Sequence, residues 1–272
     1  MKKDITLVFG GAGAKSFACL GAWSVIKKAK LPVQRILGSS MGAFMGALVA
    51  NDVPEERIKE EFYKKTRFLC WTNLAFTRRS VLSQKRFRTI LKSLIKVKNV
   101  EESRIPLHII TANLNTVQTH VFENGDMIDA VCASCAYPIL YKPMILNNQY
   151  IITDGGIINN VPADIAREKS GPDSCIITIS PSSPFDTSLE ALNKPTELAF
   201  RIYYSMVEKE RTRITETYSD VVLKPFKDEY LGFRTWRDMF NFFNVEKLES
   251  FYEKGKKEAE LKLPEILEKV QS

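Results

Sequence analysis

Ile36-Leu37-Gly38-Ser39-Ser40-Met41-Gly42-Ala43-Phe44-Met45-Gly46-Ala47-Leu48-Val49 is the stretch whose reading decides the fold. An apolar, strand-like lead enters a G-x-S-x-G turn and leaves it as a helix of small residues. Placed between strand and helix, that pentapeptide is a nucleophile elbow: flanking glycines permit a very sharp turn, and the serine hydroxyl stands at the helix N-terminus. The same pattern also fits an ordinary turn or helix cap, so the surrounding sequence has to supply the context.

Upstream, Asp4-Ile5-Thr6-Leu7-Val8-Phe9 reads as a buried strand, followed by Gly10-Gly11-Ala12-Gly13-Ala14-Lys15-Ser16 and an apolar-periodic helix from Phe17 to Ile26. A P-loop ending at Lys15-Ser16 fails because Phe9 and Ala14 occupy two of its glycine positions. A dinucleotide fingerprint starting at Gly11 ends on Ser16 and lacks a well-placed ribose-binding carboxylate. Backbone donors aimed at a tetrahedral oxyanion fit better, which makes Gly10, Gly11, Ala12 and Gly13 the candidate oxyanion hole. Downstream, Tyr150-Ile151-Ile152-Thr153 ends on Asp154-Gly155-Gly156, a carboxylate at a strand end beside two residues that admit close backbone approach.

The histidine count then matters. Only His108 and His120 are present, both in strand-like runs, and neither follows Asp154 as a Ser-acid-His order requires. A nucleophilic Ser40 therefore points to a carboxylate base. Taken together and in order, Leu7 to Lys15, Gly38 to Ala43, Ala133-Ser134-Cys135-Ala136-Tyr137-Pro138, Asp154-Gly155-Gly156 and Asn159-Asn160-Val161-Pro162 resemble the patatin-like phospholipases over about Asp4 to Ser180. Two positions depart from the family pattern: Ala12 interrupts the usual glycine run, and Ser16 stands where glycine is commonest. The resemblance implies a Ser40–Asp154 dyad, a three-layer α/β/α fold with a mostly parallel central sheet, and phospholipid or lysophospholipid esters as substrates. It implies no metal or organic cofactor. An acyltransferase with the same serine and a catalytically silent lipid-binding scaffold are the alternatives.

Alternating strand and helix signals agree with α/β architecture. Strands are expected at 5–9, 34–38, 107–113, 118–122, 150–153, 175–180 and 220–223, and helices at 16–29, 42–51, 126–136, 161–169, 187–216 and 246–261. Lys254 to Lys269 reads as a surface helix interrupted at Pro264. The 272 residues are read as one catalytic domain, 1–272, with 52–103 as a basic helical cap.

No run of about 18 apolar residues predicts a membrane span, and Met1-Lys2-Lys3 does not open a signal peptide, so a cytoplasmic or peripheral location is expected. Five cysteines suggest a reducing compartment, and Cys132-Ala133-Ser134-Cys135, on one helix face with no second pair, reads as packing. Charge concentrates in Arg57 to Lys98, where 13 Lys or Arg face two acids; that segment is +11 in a chain of +7. Its aromatics include Phe62, Phe68, Trp71 and Phe87, which suits a solvated cap or contact with an anionic membrane. No nucleic-acid-binding motif accompanies it.

Overall fold

The computed structural model describes residues 3–63, 73–77, 80–138, 140–184, 195–229 and 247–271. Expectations for 187–194 and 246, and for Phe68 and Trp71, lie outside those residues.

Strand β1 (Ile5–Phe9) is buried along its whole length because parallel neighbours flank it on both sides, β2 (Val33–Ser39) and β9 (Cys175–Ile179). β10 (Val221–Leu223) extends the parallel set beyond β9, and β5 (Leu107–Asn113) continues it beyond β2. Such continuous apolar runs are what a sheet covered on both faces demands. Ile5, Leu7 and Phe9 enter the larger core with α1 (Phe17–Lys28), α2 (Met41–Ala50), α5 (Met127–Ser134) and α8 (Leu248–Gln271). Val8, Leu37, Ile110 and Ile176 point the other way, onto α6 (Ala163–Ser170) and α7 (Pro195–Tyr218) through Ala163, Ala166 and Ile214. The result is the three-layer α/β/α arrangement with a mostly parallel sheet. Among the described residues no helix is long and apolar enough to cross a membrane.

Helices α1 and α8 cross with almost no side chain between them. A Cβ built on Gly255 would lie 1.9 Å from the Ala18 carbonyl oxygen, and one on Gly21 would lie 2.0 Å from that of Tyr252. Gly255→Ala is therefore expected to force the pair apart and lower unfolding free energy by about 1–3 kcal/mol, the usual cost of overpacking. Urea denaturation would show it, and an unchanged midpoint would mean the helices slide without loss.

Three local features differ from the sequence reading. Pro264 does not interrupt α8, which runs on to Gln271. Proline frees the carbonyl four residues back, but Glu260 and Pro264 are both exposed, so water can satisfy it while buried Ala259, Ile266 and Val270 hold both halves to the core. The segment 52–103 is not all helical: between α3 (Glu55–Tyr63) and α4 (Lys85–Leu94) lies an antiparallel hairpin, β3 (Asn73–Thr77) with β4 (Ser80–Ser83). Finally, β7 (Met144–Leu146) pairs with β8 (Tyr150–Asp154), Leu146 opposite Tyr150, across the three-residue loop Asn147-Asn148-Gln149; its first two residues have φ of 52° and 55°, and the Gln149 amide donates to the Leu146 carbonyl at 3.0 Å.

β5 also pairs with β6 (Gln118–Phe122) along 109–113, so β2, partnering 107–110, and β8, partnering 111–113, must share its opposite edge. β2 runs parallel to β5 and β8 antiparallel. Their carboxyl ends therefore meet head-on, at Ser39 opposite Ile110 and Asp154 opposite Thr111. That junction brings together two residues 114 apart in sequence.

Candidate active site

At the end of β2 the chain turns through Ser40, with φ 53° and ψ −130°, a conformation costly for a residue bearing a Cβ. The neighbouring glycine is dictated by space: a Cβ on Gly42 would sit 2.1 Å from the Phe9 carbonyl oxygen. What holds the strained turn is a relay from the sheet. The Ser40 amide donates to Ser134 Oγ at 2.9 Å, and Ser134 Oγ donates to the Ile110 carbonyl at 2.6 Å. Ser134 is wholly buried.

Ser40 Oγ donates to Asp154 Oδ2 at 2.7 Å. The other carboxylate oxygen, Oδ1, accepts from the Gly156 amide at 2.8 Å. Asp154 is only 2 % exposed, and burial pushes its carboxyl up to about 7, against the opposing effects of the Ser40 and Gly156 hydrogen bonds. A carboxyl tuned to that range accepts and returns a proton near neutral pH. Neither histidine shares this junction. His108 accepts from Arg35 Nε at 3.0 Å and lies 3.3 Å from Glu123, while the ring of His120 packs on Phe122.

The glycine loop stands directly over the serine: a Cβ on Gly11 would come within 2.8 Å of Ser40 Cβ. Two side chains fix it. Asn160 clamps Gly11 from both sides, its backbone carbonyl accepting from the Gly11 amide at 3.2 Å and its side-chain Nδ2 donating to the Gly11 carbonyl at 2.8 Å. Ser16 bridges the loop, accepting from the Ala12 amide at 2.9 Å and donating to the Gly10 carbonyl at 3.2 Å. The Ser16 hydroxyl, at a position where the resembled family most often has glycine, thus serves as a staple.

The four amides of the candidate oxyanion block differ in their engagement. The Gly10 amide already donates to the Ile179 carbonyl, and those of Gly11 and Ala12 are engaged as described. Gly13 (φ 54°) is the one member of the block whose amide makes no hydrogen bond among the described residues. The same holds for Met41, first residue of α2 and next to Ser40. Sequence reasoning noticed the segments containing Ser134, Asn160 and Ser16 but assigned them no function; their value lies in long-range partners that no local pattern displays.

Cys132 and Cys135 are buried, free thiols whose ionisation burial opposes, to about 12 for Cys132. Among the described residues no three His, Cys, Asp or Glu side chains gather as a metal set.

The family described as patatin-like phospholipase matches residues 7–167. Mouse patatin-like phospholipase domain-containing protein 7 is 29% identical over 199 residues, covering 68% of this chain and 14% of that protein. Human patatin-like phospholipase domain-containing protein 6 is 27% identical over 191 residues, with the same two coverages of 68% and 14%. Neuropathy target esterase sws of Drosophila melanogaster is 28% identical over 192 residues, covering 68% of this chain and 13% of that protein. The chain therefore spans about one seventh of the length of these curated relatives.

Proposed function

The chain belongs to the patatin-like phospholipase family, and from that premise we propose that it is a serine hydrolase cleaving fatty-acyl esters of phospholipids or lysophospholipids through Ser40 and Asp154. The observation that carries this reading is the 2.7 Å hydrogen bond between a strained, elbow-mounted serine and a buried carboxylate with no histidine between them. Ser40 Oγ attacks the ester carbonyl carbon as its proton passes to Asp154 Oδ2. Collapse of the tetrahedral intermediate breaks the bond to the leaving alkoxide, which takes that proton and departs as the alcohol. Water then gives a proton to the same carboxylate and attacks the acyl-serine, releasing the fatty acid and returning the proton to Ser40. The free amides of Gly13 and Met41 are the donors we assign to the oxyanion, one from the glycine loop and one from the start of α2.

A lipid panel tests this directly. Wild type should release fatty acid from a phospholipid or lysophospholipid, and a serine-directed fluorophosphonate should label Ser40. Neither release nor labelling with folded protein would end the proposal.

Ser134 acts through Ser40, as a positioning residue. Without its hydroxyl the Ser40 amide and the Ile110 carbonyl both lose their partner. Ser134→Ala is expected to lower kcat by roughly ten- to a hundredfold with KM little changed, because misplacing a nucleophile by a fraction of an ångström costs turnover rather than binding. Equal losses in kcat and in fluorophosphonate labelling rate would support it; a KM effect alone would not.

The basic segment is proposed as a cap at the mouth of the site that also meets anionic lipid. Its hairpin is tied down beside the site, the Leu82 amide donating to the Leu140 carbonyl at 2.8 Å while Leu82 packs with Ala136 and Tyr141. α4 buries Phe87, Ile90, Leu91 and Leu94 and leaves Lys85 and Lys92 exposed. Near an anionic bilayer each such cation contributes about 1 kcal/mol, screened over about 8 Å at physiological salt. Lys85→Glu, Lys92→Glu and Lys96→Glu together should weaken sedimentation with anionic vesicles and leave hydrolysis of a soluble short-chain ester intact. Equal binding to neutral and anionic vesicles, unaffected by the reversals, would leave the segment a plain solvated cap.

A further inference from the structure

A cavity of about 220 Å³ opens at the ends of two strands that the serine site does not use. Ser180 directly follows β9 and Lys224 directly follows β10, both parallel to β1 and β2. The cavity thus lies on the carboxyl edge of the sheet, the edge from which Ser40 also emerges and at which open α/β sheets receive ligands. Its far wall is α7, through Glu208, Arg211 and Thr215.

The lining is polar and incomplete. Thr215 is 3 % exposed, and its Oγ1 is buried without a hydrogen-bond partner. Glu208 bonds Arg211 through Oε1, yet its Oε2 is also buried without one. An unsatisfied buried polar atom costs about 1–3 kcal/mol, so two on residues that line one cavity mark its wall as the place where polar partners are missing. Arg211, 7 % exposed, brings a cation to the interior. Lys224 and Lys227 are about half exposed and loosely held, 3.9 Å from Glu216 and 3.6 Å from Glu258. Three cations and several hydroxyls face a single carboxylate.

We propose that this cavity binds the phosphate group of a phosphomonoester or of a lipid head group. Phosphate oxygens are acceptors throughout, which suits the Thr215 hydroxyl, the Ser180 and Ser182 hydroxyls and the guanidinium fork of Arg211. A cationic ligand would meet Arg211, Lys224 and Lys227, and an apolar one would leave Thr215 unpaired. The orphaned Glu208 oxygen calls for one donor, which a hydroxyl beside the phosphate supplies, as in glycerol 3-phosphate. The site also touches the catalytic loop. Lys15, two residues beyond Gly13, donates through Nζ to Ser183 on the cavity wall. Burial, with help from Lys254, lowers Lys15 to about 8, so a nearby phosphate would favour its charged form.

The test uses the full chain carrying Ser40→Ala, so that lipids persist and the result stands whether or not Ser40 hydrolyses esters. Calorimetric titration with glycerol 3-phosphate and with inorganic phosphate should give saturable binding at about 1 mM or tighter. Thr215→Val, close in shape, and Lys224→Ala with Lys227→Ala should each weaken it about tenfold or more while circular dichroism confirms the fold. Displacement of glycerol 3-phosphate by phosphatidate vesicles but not by phosphatidylcholine vesicles would identify a monoester lipid head group. Binding indifferent to both would identify a soluble phosphomonoester. No saturable binding of any probe, or binding that the cavity substitutions leave unchanged, overturns the proposal.

Discussion

Ser40→Ala and Asp154→Asn should each lower ester hydrolysis by a factor on the order of 10³ or more, and the double substitution should be scarcely worse than either alone. The reason is the single 2.7 Å bond between them. Removing the hydroxyl leaves the carboxylate nothing to deprotonate, and removing the carboxylate leaves the hydroxyl no acceptor for its proton, so either loss disables the same step. Groups that act as one unit do not add. Fluorophosphonate labelling separates the two roles: Ser40→Ala should not label at all, whereas Asp154→Asn should label slowly. His108→Ala and His120→Ala should keep near wild-type turnover, since Arg35, Glu123 and Phe122 are the partners of those rings. Full activity in Asp154→Asn with loss in either histidine variant would replace the dyad with a histidine-based site.

The elbow, the glycine loop and the aspartate were legible because each is marked by residues that geometry forbids to be larger. Gly42 has a carbonyl 2.1 Å from where its Cβ would stand, and Gly155 has one at 2.3 Å. Close approach of that kind leaves a trace in residue type. The meeting of β2 and β8 on one edge of β5 leaves none, because it depends on which strands share an edge rather than on any local run. For the same reason Ser134 and Asn160 looked like ordinary small polar residues until their partners, 94 and 149 positions away, were in place. Other features do leave a local signal. Asn147-Asn148 between two apolar runs is a hairpin turn, and Asn73 to Ser83 carries a weak strand alternation inside a segment whose strongest pattern is its charge. Pro264 stays within its helix because a proline on the wet face of a long helix costs only one carbonyl that water can serve.

The second large effect links catalysis to stability. Burial holds the Asp154 carboxyl at about 7 when folded, against an ordinary value of 3.8. Activity needs the ionised base, so the wild-type rate should fall as pH drops through about 7. Stability runs the other way. A group whose folded pKa is raised binds more protons folded than unfolded between those two values, so its contribution is complete below about 4 and is lost as pH rises to about 7. The loss at alkaline pH is on the order of 4 kcal/mol, the free energy of ionising a carboxyl where water cannot reach it. Asp154→Asn never ionises. Its stability relative to wild type should therefore climb between about pH 4 and pH 7, by as much as a few kcal/mol in urea denaturation, even as hydrolysis disappears. Ser40→Ala should shift the wild-type profile further alkaline, because the Ser40 hydroxyl is the chief group favouring the ionised form. A difference between Asp154→Asn and wild type that stays constant with pH would mean the carboxyl ionises as it does in water, and the case for a tuned base would fall with it.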